Sequence, residues 1–365
     1  MKKLSTLQLV PGMIVAESVL SYDQQLILSK GTILTDKLIT KLDLYGVLFI
    51  NIEDSPSAMP VDPDTSEAVT LPADLTYSDK VKLSPSFQQF KKDYELNVES
   101  FKTAVNDVVE RNSKLDVDAL LHDCLEIIAS DKGQFGIMDM LHNMREYDDS
   151  TFTHCLNVAL IANVFGTWLK WSPEEIELVT TCGLLHDIGK LLVPYAIIAK
   201  PGKLSAEEYA QVKKHPISGY QLLLEQDVNE HVLYSALMHH ERCDGTGYPM
   251  RLVGKQIDQY ARVIAIADVY DAMTAARVYR GPLCPFRVIE IFETEGFQKY
   301  DVEYLLVFLE HVVNSYIQNQ CRLSDGREGT IIAVNKDKLS RPFVIVEGQY
   351  INLADYEDLT ITELL

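Results

Sequence analysis

The sequence predicts a mainly α protein: an all-α helical domain, preceded by a small N-terminal α/β module and followed by a short β extension at the C-terminus. Three observations predict it. Residues 147–320 carry one helix signal after another with no clear period-2 alternation. Pro56, Pro60, Pro63, Pro72 and Pro85 crowd the stretch 53–85, and proline this dense continues neither a helix nor a central strand. Beyond Gly329 the text changes to short runs rich in β-branched and aromatic residues. At 365 residues, 47% hydrophobic and 24% charged, the chain has the ordinary globular mix and room for two or three domains.

The elements follow in order. In 1–52, Met13–Leu20 and Gln25–Ser29 are short apolar runs around a polar turn. Thr35 can cap a helix through Leu44, Gly46 stops it, and Val47–Ile52 reads as a strand. This module carries no ligand constellation and is expected to be accessory or regulatory. After the linker at 53–85, residues 86–146 form a helical lead-in, with apolar stripes such as Val105, Val108, Val109 and Leu120, Leu121, Cys124, Ile127, Ile128. Within 147–320, Phe152–Leu169 is apolar almost all round, which marks a buried helix. Ser172-Pro173-Glu174-Glu175 joins an N-cap, a proline at the first helical position and a capping-box glutamate, and Ser205-Ala206-Glu207-Glu208 is a second start signal. Ala261–Ala276 and Val302–Ile317 are further helices. In the extension, 321–365, Thr330–Val334, Phe343–Val346 and Tyr350–Leu353 read as strands, with Asn335-Lys336-Asp337 as a turn.

Lys and Arg total 33 against 53 Asp and Glu, a net charge of −20. That charge repels polyanions, so DNA, RNA and anionic membrane surfaces are not expected partners. Cys124, Cys155, Cys182, Cys243, Cys284 and Cys321 form no CxxC, which fits reduced thiols rather than a disulfide frame. With no signal-peptide pattern at the N-terminus and no run of 18 apolar residues, a cytoplasmic location is expected.

Of nine histidines, His154, His186, His215, His239 and His240 stand out, together with Asp187 and Asp268. Taken singly, each has a bland explanation. His154 can be a core imidazole satisfied by one carbonyl, and His186-Asp187 can cap a helix. Asp268 lies in the run Val263–Val269, where an unpaired carboxylate costs several kcal/mol, so it needs a cation beside it. Taken together, imidazoles and carboxylates delivered from separate buried helices need positive charge to hold them. That donor set suits Zn, Fe, Mn, Co or Ni. The set exceeds what one tetrahedral ion takes, and a carboxylate such as Asp187 can bridge. Two ions about 3.5–4 Å apart are the arrangement that clamps a phosphoryl centre for in-line attack.

These residues carry a family resemblance. His186-Asp187 with Gly189-Lys190 resembles the signature of the HD-domain phosphohydrolases. The run His239-His240-Glu241-Arg242-Cys243-Asp244-Gly245-Thr246-Gly247-Tyr248-Pro249 resembles the extended signature of their HD-GYP subfamily. His215-Pro216 and Asp268-Val269-Tyr270-Asp271-Ala272-Met273-Thr274 match two further blocks, in the right order. The resemblance covers roughly 147–320.

The resemblance implies an HD-type helical fold with its catalytic domain over 147–320. It further implies a phosphodiesterase that linearises cyclic di-GMP to pGpG, and then to GMP, by attack of a metal-bridging hydroxide. It leaves 3′,3′-cyclic GMP-AMP open as the substrate, and a catalytically weak binding scaffold as a lesser alternative. Two divalent ions, iron or manganese, are the implied cofactors. His154, His186, Asp187, His215, His239, His240 and Asp268 match the ligands, with Asp187 bridging and catalytic. Lys190 matches a lysine on the scissile phosphate, and Arg277 and Arg280 match basic residues that hold substrate phosphate. Glu241, Asp244, Gly245, Gly247, Tyr248, Pro249 and Asp271 are expected to shape the loop and support the ligands. Protein partners are allowed for through the N-terminal module or the Gly245–Pro249 loop, as is a homodimer. Two positions depart from the family. Ser150 stands where three-metal members have a glutamate, and the adjacent Asp148 and Asp149 would project from other sides of the helix, which favours two metals with Asp149 as the one substitute for a third. Cys243 stands where a large residue such as Trp is common, which alters packing around the loop.

Overall fold

The structure, a computed structural model, describes residues 2–5, 9, 13–17, 19–20, 26–28, 30–35, 38, 42, 49–52, 77–111, 113–130, 136–144, 151–200, 202–275 and 281–365. The chain divides into two compact units, Met1–Pro72 and Ala73–Leu365. In the first, β1 (Lys2–Ser5) pairs antiparallel with β4 (Phe49–Ile52), and β2 (Val19–Leu20) with β3 (Leu26–Leu28). Val15, Leu28, Leu34, Leu42, Ile50 and Ile52 form its small core. The helix expected from Thr35 lies mostly outside the described residues.

The second unit is helical and then β. Residues 77–83, inside the stretch expected as linker, form helix α1 (Tyr77–Leu83), and Pro85 opens α2 (Pro85–Arg111). A proline in the first helical turn loses no hydrogen bond, because that N–H has no intrahelical partner anyway. There follow α3 (Val117–Ser130), α4 (Ile137–Met144), α5 (Thr151–Trp168) and α6 (Pro173–Leu185). A 3₁₀ turn (Ile188–Leu192) leads to α7 (Tyr195–Ile198), α8 (Ala206–Val212), α9 (His215–Leu224) and α10 (Glu230–Met238). Then come α11 (Gln259–Thr274), α12 (Pro285–Ile291), α13 (Phe297–Lys299) and α14 (Val302–Ser315).

Helix α5 is the central post. Leu156, Val158, Ala159, Leu160, Ile161, Ala162 and Phe165 are all fully buried, as an all-round apolar helix must be. Both predicted capping boxes form. Glu175 N–H donates to Ser172 Oγ at 3.3 Å while Ser172 N–H donates back to Glu175 Oε2 at 2.8 Å, and Ser205 and Glu208 repeat the exchange.

The chain ends in an antiparallel five-stranded sheet of order β8-β7-β6-β5-β9. Its strands are β5 (Gln320–Leu323), β6 (Glu328–Ala333), β7 (Phe343–Val346), β8 (Gln349–Asn352) and β9 (Ile361–Leu364). Three of these match the expected strands within two residues. The outer pairing of β5 with β9 was not expected: β5 alternates polar and apolar over only four residues, and β9 is as short. Buried Cys321, Leu323, Ile331, Val344, Val346 and Ile361 join the helical core, so sheet and helices share one interior. No helix among the described residues is long and apolar enough to cross a membrane.

Candidate metal centre

Helix ends bring the expected ligands together. His154 projects from the first turn of α5, His186 caps the C-terminus of α6, and Asp187 follows it. His215 opens α9, His239 caps the C-terminus of α10 with His240 next, and Asp268 lies on α11. Gly189 makes the convergence geometrically feasible. A Cβ there would lie 2.0 Å from the His215 carbonyl oxygen and 2.5 Å from the Gly219 nitrogen, so only glycine lets the turn after Asp187 press against α9.

Asp187 is the hinge of the arrangement. Its Oδ2 faces His154 Nε2 at 3.5 Å and His186 Nε2 at 3.4 Å. Its Oδ1 faces His215 Nε2 at 3.1 Å and His239 Nε2 at 3.5 Å. One carboxylate thus divides the imidazoles into two sets. Two overlapping groups could hold an ion: Asp187 with His154 and His186, and Asp187 with His215, His239 and His240. Asp268 closes the ring, with Oδ1 3.0 Å from His154 Nε2 and Oδ2 3.8 Å from His240 Nδ1. All but His240 are buried, and the His240 side chain is 17% exposed, so the cluster opens to solvent on its side.

The hydrogen bonds outside the cluster fix which nitrogen points in. His186 Nδ1 lies 2.6 Å from the Gly183 carbonyl, His215 Nδ1 2.7 Å from that of Val212, and His239 Nδ1 3.0 Å from that of Ser235. A carbonyl only accepts, so each Nδ1 carries the proton and each Nε2 turns a lone pair inward. His154 uses a carboxylate for the same purpose, donating from Nδ1 to Asp271 Oδ2 at 2.8 Å. As a result, the Nε2 atoms of His215 and His239 meet at 3.2 Å with no proton to share. His186 Nε2 and Asp187 Oδ1 are buried without a hydrogen-bond partner. Buried lone pairs aimed at one another are costly unless a cation lies between them. The donor set therefore fits a metal by its own chemistry.

Protonation agrees with that. Burial would raise Asp187, but Lys190 and the neighbouring imidazoles outweigh it and hold the carboxyl well below its ordinary range. Asp268 is held down in the same way, against burial, by His154 and His240. Burial pushes His239 down to about 4, and burial with the His239 charge pushes His240 well below its usual value. Ionised carboxylates and neutral imidazoles are the states that bind metal. His154 goes the other way: burial opposes its charge, yet Asp268 and Asp271 raise it to about 9. Its extra proton stands where a cation would.

The remaining expected residues are placed as follows. Lys190 Nζ donates to Asp187 Oδ2 at the rim of the cluster. Glu241 is buried and accepts the N–H groups of Met250 at 2.6 Å, Arg251 at 3.1 Å and Leu252 at 3.0 Å, so it clamps the loop's exit rather than joining the ligands. Asp244 Oδ1 accepts from Thr246 N–H at 2.9 Å and Oγ1 at 2.7 Å, a local turn. Gly245 has φ +79°, and the Tyr248–Pro249 peptide is cis. Tyr248 stacks on His240 at 4.7 Å between ring centroids. Cys243 is half-buried, and its N–H donates to the Lys299 carbonyl. Arg277, Arg280, Asp149 and Ser150 lie outside the described residues. The orienting carbonyls of Gly183, Val212 and Ser235 were not foreseen. Every residue has a carbonyl, so no residue type signals this use.

This fold and cluster define an HD-domain protein, and residues 124–304 match the HD domain family model. With the Asp244–Pro249 loop seated against His240, the matched segment has the features of the HD-GYP subfamily of the HD-domain phosphohydrolases. Among curated relatives, it is 34% identical over 208 residues to a cyclic di-GMP phosphodiesterase of Pseudomonas aeruginosa, covering 56% of this chain and 50% of that one. It is 39% identical over 136 residues to a cyclic di-GMP phosphodiesterase response regulator of Xanthomonas campestris, covering 36% of each. It is 40% identical over 148 residues to a 3′3′-cGAMP-specific phosphodiesterase of Vibrio cholerae, covering 40% of this chain and 34% of that one. The chain thus spans half or less of the length of these relatives. A solved structure of an HDG"Y"P protein from Bdellovibrio bacteriovorus shares the fold, with a TM-score of 0.50 at 16% identity over 85% of this chain and 99% of that one.

Proposed function

We propose that this chain is a metal-dependent phosphodiesterase that hydrolyses cyclic di-GMP to linear pGpG and onward to GMP. The observation that carries the reading is Asp187, whose two oxygens each face a separate set of inward-pointing imidazoles. The relatives with which it shares this domain include enzymes named for cyclic di-GMP. In this reading His154, His186 and Asp268 hold one divalent ion, His215, His239 and His240 the other, and Asp187 both, with iron or manganese as the ions. Bound there, they supply Lewis acidity at the phosphoryl oxygens and lower the pKa of water to the neutral range.

The protein's own groups do the rest. The carbonyls of Gly183, Val212 and Ser235 and the carboxylate of Asp271 lock the imidazole tautomers, so no reorganisation is needed when substrate arrives. Lys190, at the rim, exchanges its contact with Asp187 for a phosphate oxygen and balances the charge that builds there. The exposed side at His240 is the entry for the diester. The N-terminal unit acts as an accessory module. A cytoplasmic site of action is consistent with cysteines that are all free.

The deciding experiment is purification without oxygen, metal analysis, and product analysis with cyclic di-GMP and 3′,3′-cyclic GMP-AMP side by side. The expected result is about two equivalents of metal and pGpG as first product. Turnover of the mixed dinucleotide alone would move the assignment to that substrate, toward which the Vibrio relative points. A metal-loaded protein inert toward both would overturn the reading.

A further inference from the structure

Beside the metal centre lies a pocket of about 560 Å³, lined in part by Lys213, Lys214, Arg251 and the backbone of the Gly245–Pro249 loop. No carboxylate-bearing side chain among the described residues lines it. Among the described residues, none of the three cations forms an ion pair. On a chain of charge −20 this is a local exception that calls for an anion.

The pocket is built rather than incidental. Arg251 has φ +57°, a backbone state an L-residue adopts only when held there. The buried Glu241 carboxylate supplies the hold by accepting its N–H and those of both neighbours. Gly247 forms part of the wall, and a Cβ on it would lie 2.4 Å from both Arg242 N and Glu241 Cα, so the loop packs down to bare backbone. Lys213 Nζ sits 4.7 Å from the centroid of the Tyr248 ring and 5.3 Å from that of Tyr209. The same Tyr248 ring stacks on His240 at 4.7 Å. One tyrosine therefore separates the pocket's ammonium from a proposed metal ligand.

We propose that this pocket is a second anion subsite that takes the uncut phosphodiester of a cyclic dinucleotide while the other phosphate is at the metal centre. The inference rests on the function proposed above. A cyclic dinucleotide carries two phosphodiester charges joined through nucleosides, and the metal centre can engage only one at a time. Lys213 and Arg251 neutralise the second, Lys214 adds to the field, and the volume suits a phosphate with part of its nucleoside. The pocket thereby selects a substrate with two phosphates over an ordinary single diester.

The test uses the full chain, purified without oxygen. Initial rates on cyclic di-GMP and on 3′,3′-cyclic GMP-AMP are compared for the wild type and a Lys213→Gln/Arg251→Gln double variant, which keeps the side-chain stems, across a series of salt concentrations. The variant is expected to raise KM about tenfold or more, with kcat changing far less and metal content unchanged. Its KM should also rise less steeply with salt, because fewer charges meet the substrate. Lys213→Arg should restore most of the affinity. A variant with wild-type KM and salt slope would overturn the subsite and leave the enzyme reading standing. A wild type that turns over neither dinucleotide would remove both. If the double variant lost metal, Lys214→Gln and Arg251→Gln, each measured alone, decide: unchanged KM and salt slope in both would refute the subsite.

Discussion

Among the described residues of the helical unit, two places that join histidine to aspartate differ in what is left over. Where α10 meets α11, His231 Nδ1 donates to Asp258 Oδ2 at 2.7 Å, and the other oxygen of Asp258 accepts the N–H of Tyr260 at 2.9 Å as the N-cap of α11. The His231 side chain is 32% exposed, and its ring packs on Tyr260. Both carboxylate oxygens have donors within the protein. At the metal centre the outward nitrogens of His154, His186, His215 and His239 are satisfied just as fully, but the inward ones face each other or a carboxylate. The lesson is that a His–Asp pair signals a site only when its hydrogen-bonding capacity remains unspent in a buried place.

The largest expected break falls on the centre. Asp187→Ala removes the carboxylate whose two oxygens face two imidazoles each, so metal content should fall to near zero. Phosphodiesterase turnover should drop by at least about 10³-fold, measured by metal analysis and by product formation. Retention of two metals by that variant would mean that Asp187 does not bridge. Asp271→Asn sharpens the point, because it leaves every proposed ligand in place. It weakens the acceptor on His154 Nδ1, so metal affinity should fall about 10- to 100-fold in a competition titration while the fold persists.

The convergence of these imidazoles and acids was legible in the sequence because their pattern is chemical: set together in apolar helices, they need a common partner. The helical class and the capping boxes at Ser172 and Ser205 were legible because each is a local rule. The unforeseen parts rest on contacts between segments distant in the chain. Pro85 looked like a linker residue because a proline at a helix start and one in a loop read alike. Strand β9 (Ile361–Leu364) gains its meaning only from Cys321 and Arg322 across the sheet. Lys213, Lys214 and Arg251 gave no signal, since solvated lysines and arginines are common and only folding gathers these three round one pocket.

A smaller effect tests how the centre is held. Gly189→Ala places a methyl group against the His215 carbonyl and the Gly219 nitrogen, which are backbone and cannot swing aside. A cost of about 1–3 kcal/mol is expected, read as a lower denaturation midpoint, with metal loss following because His215 must retreat from Asp187. A fall in stability with full metal content would mean that the ligands do not depend on this contact.

The smallest effect belongs to the other member of the comparison. His231→Ala removes one partly exposed hydrogen bond and a ring contact, and about 0.5–1.5 kcal/mol of stability should go with it. Asp258 keeps its place because the first N–H groups of α11 still bind it. Metal content and turnover should match the wild type, since no group of this pair reaches the cluster. If this variant instead lost metal, the two His–Asp sites would be coupled through α10, which carries His231 in its first turn and ends at His239. In that case the distinction between spent and unspent polar groups would no longer separate structure from function in this protein.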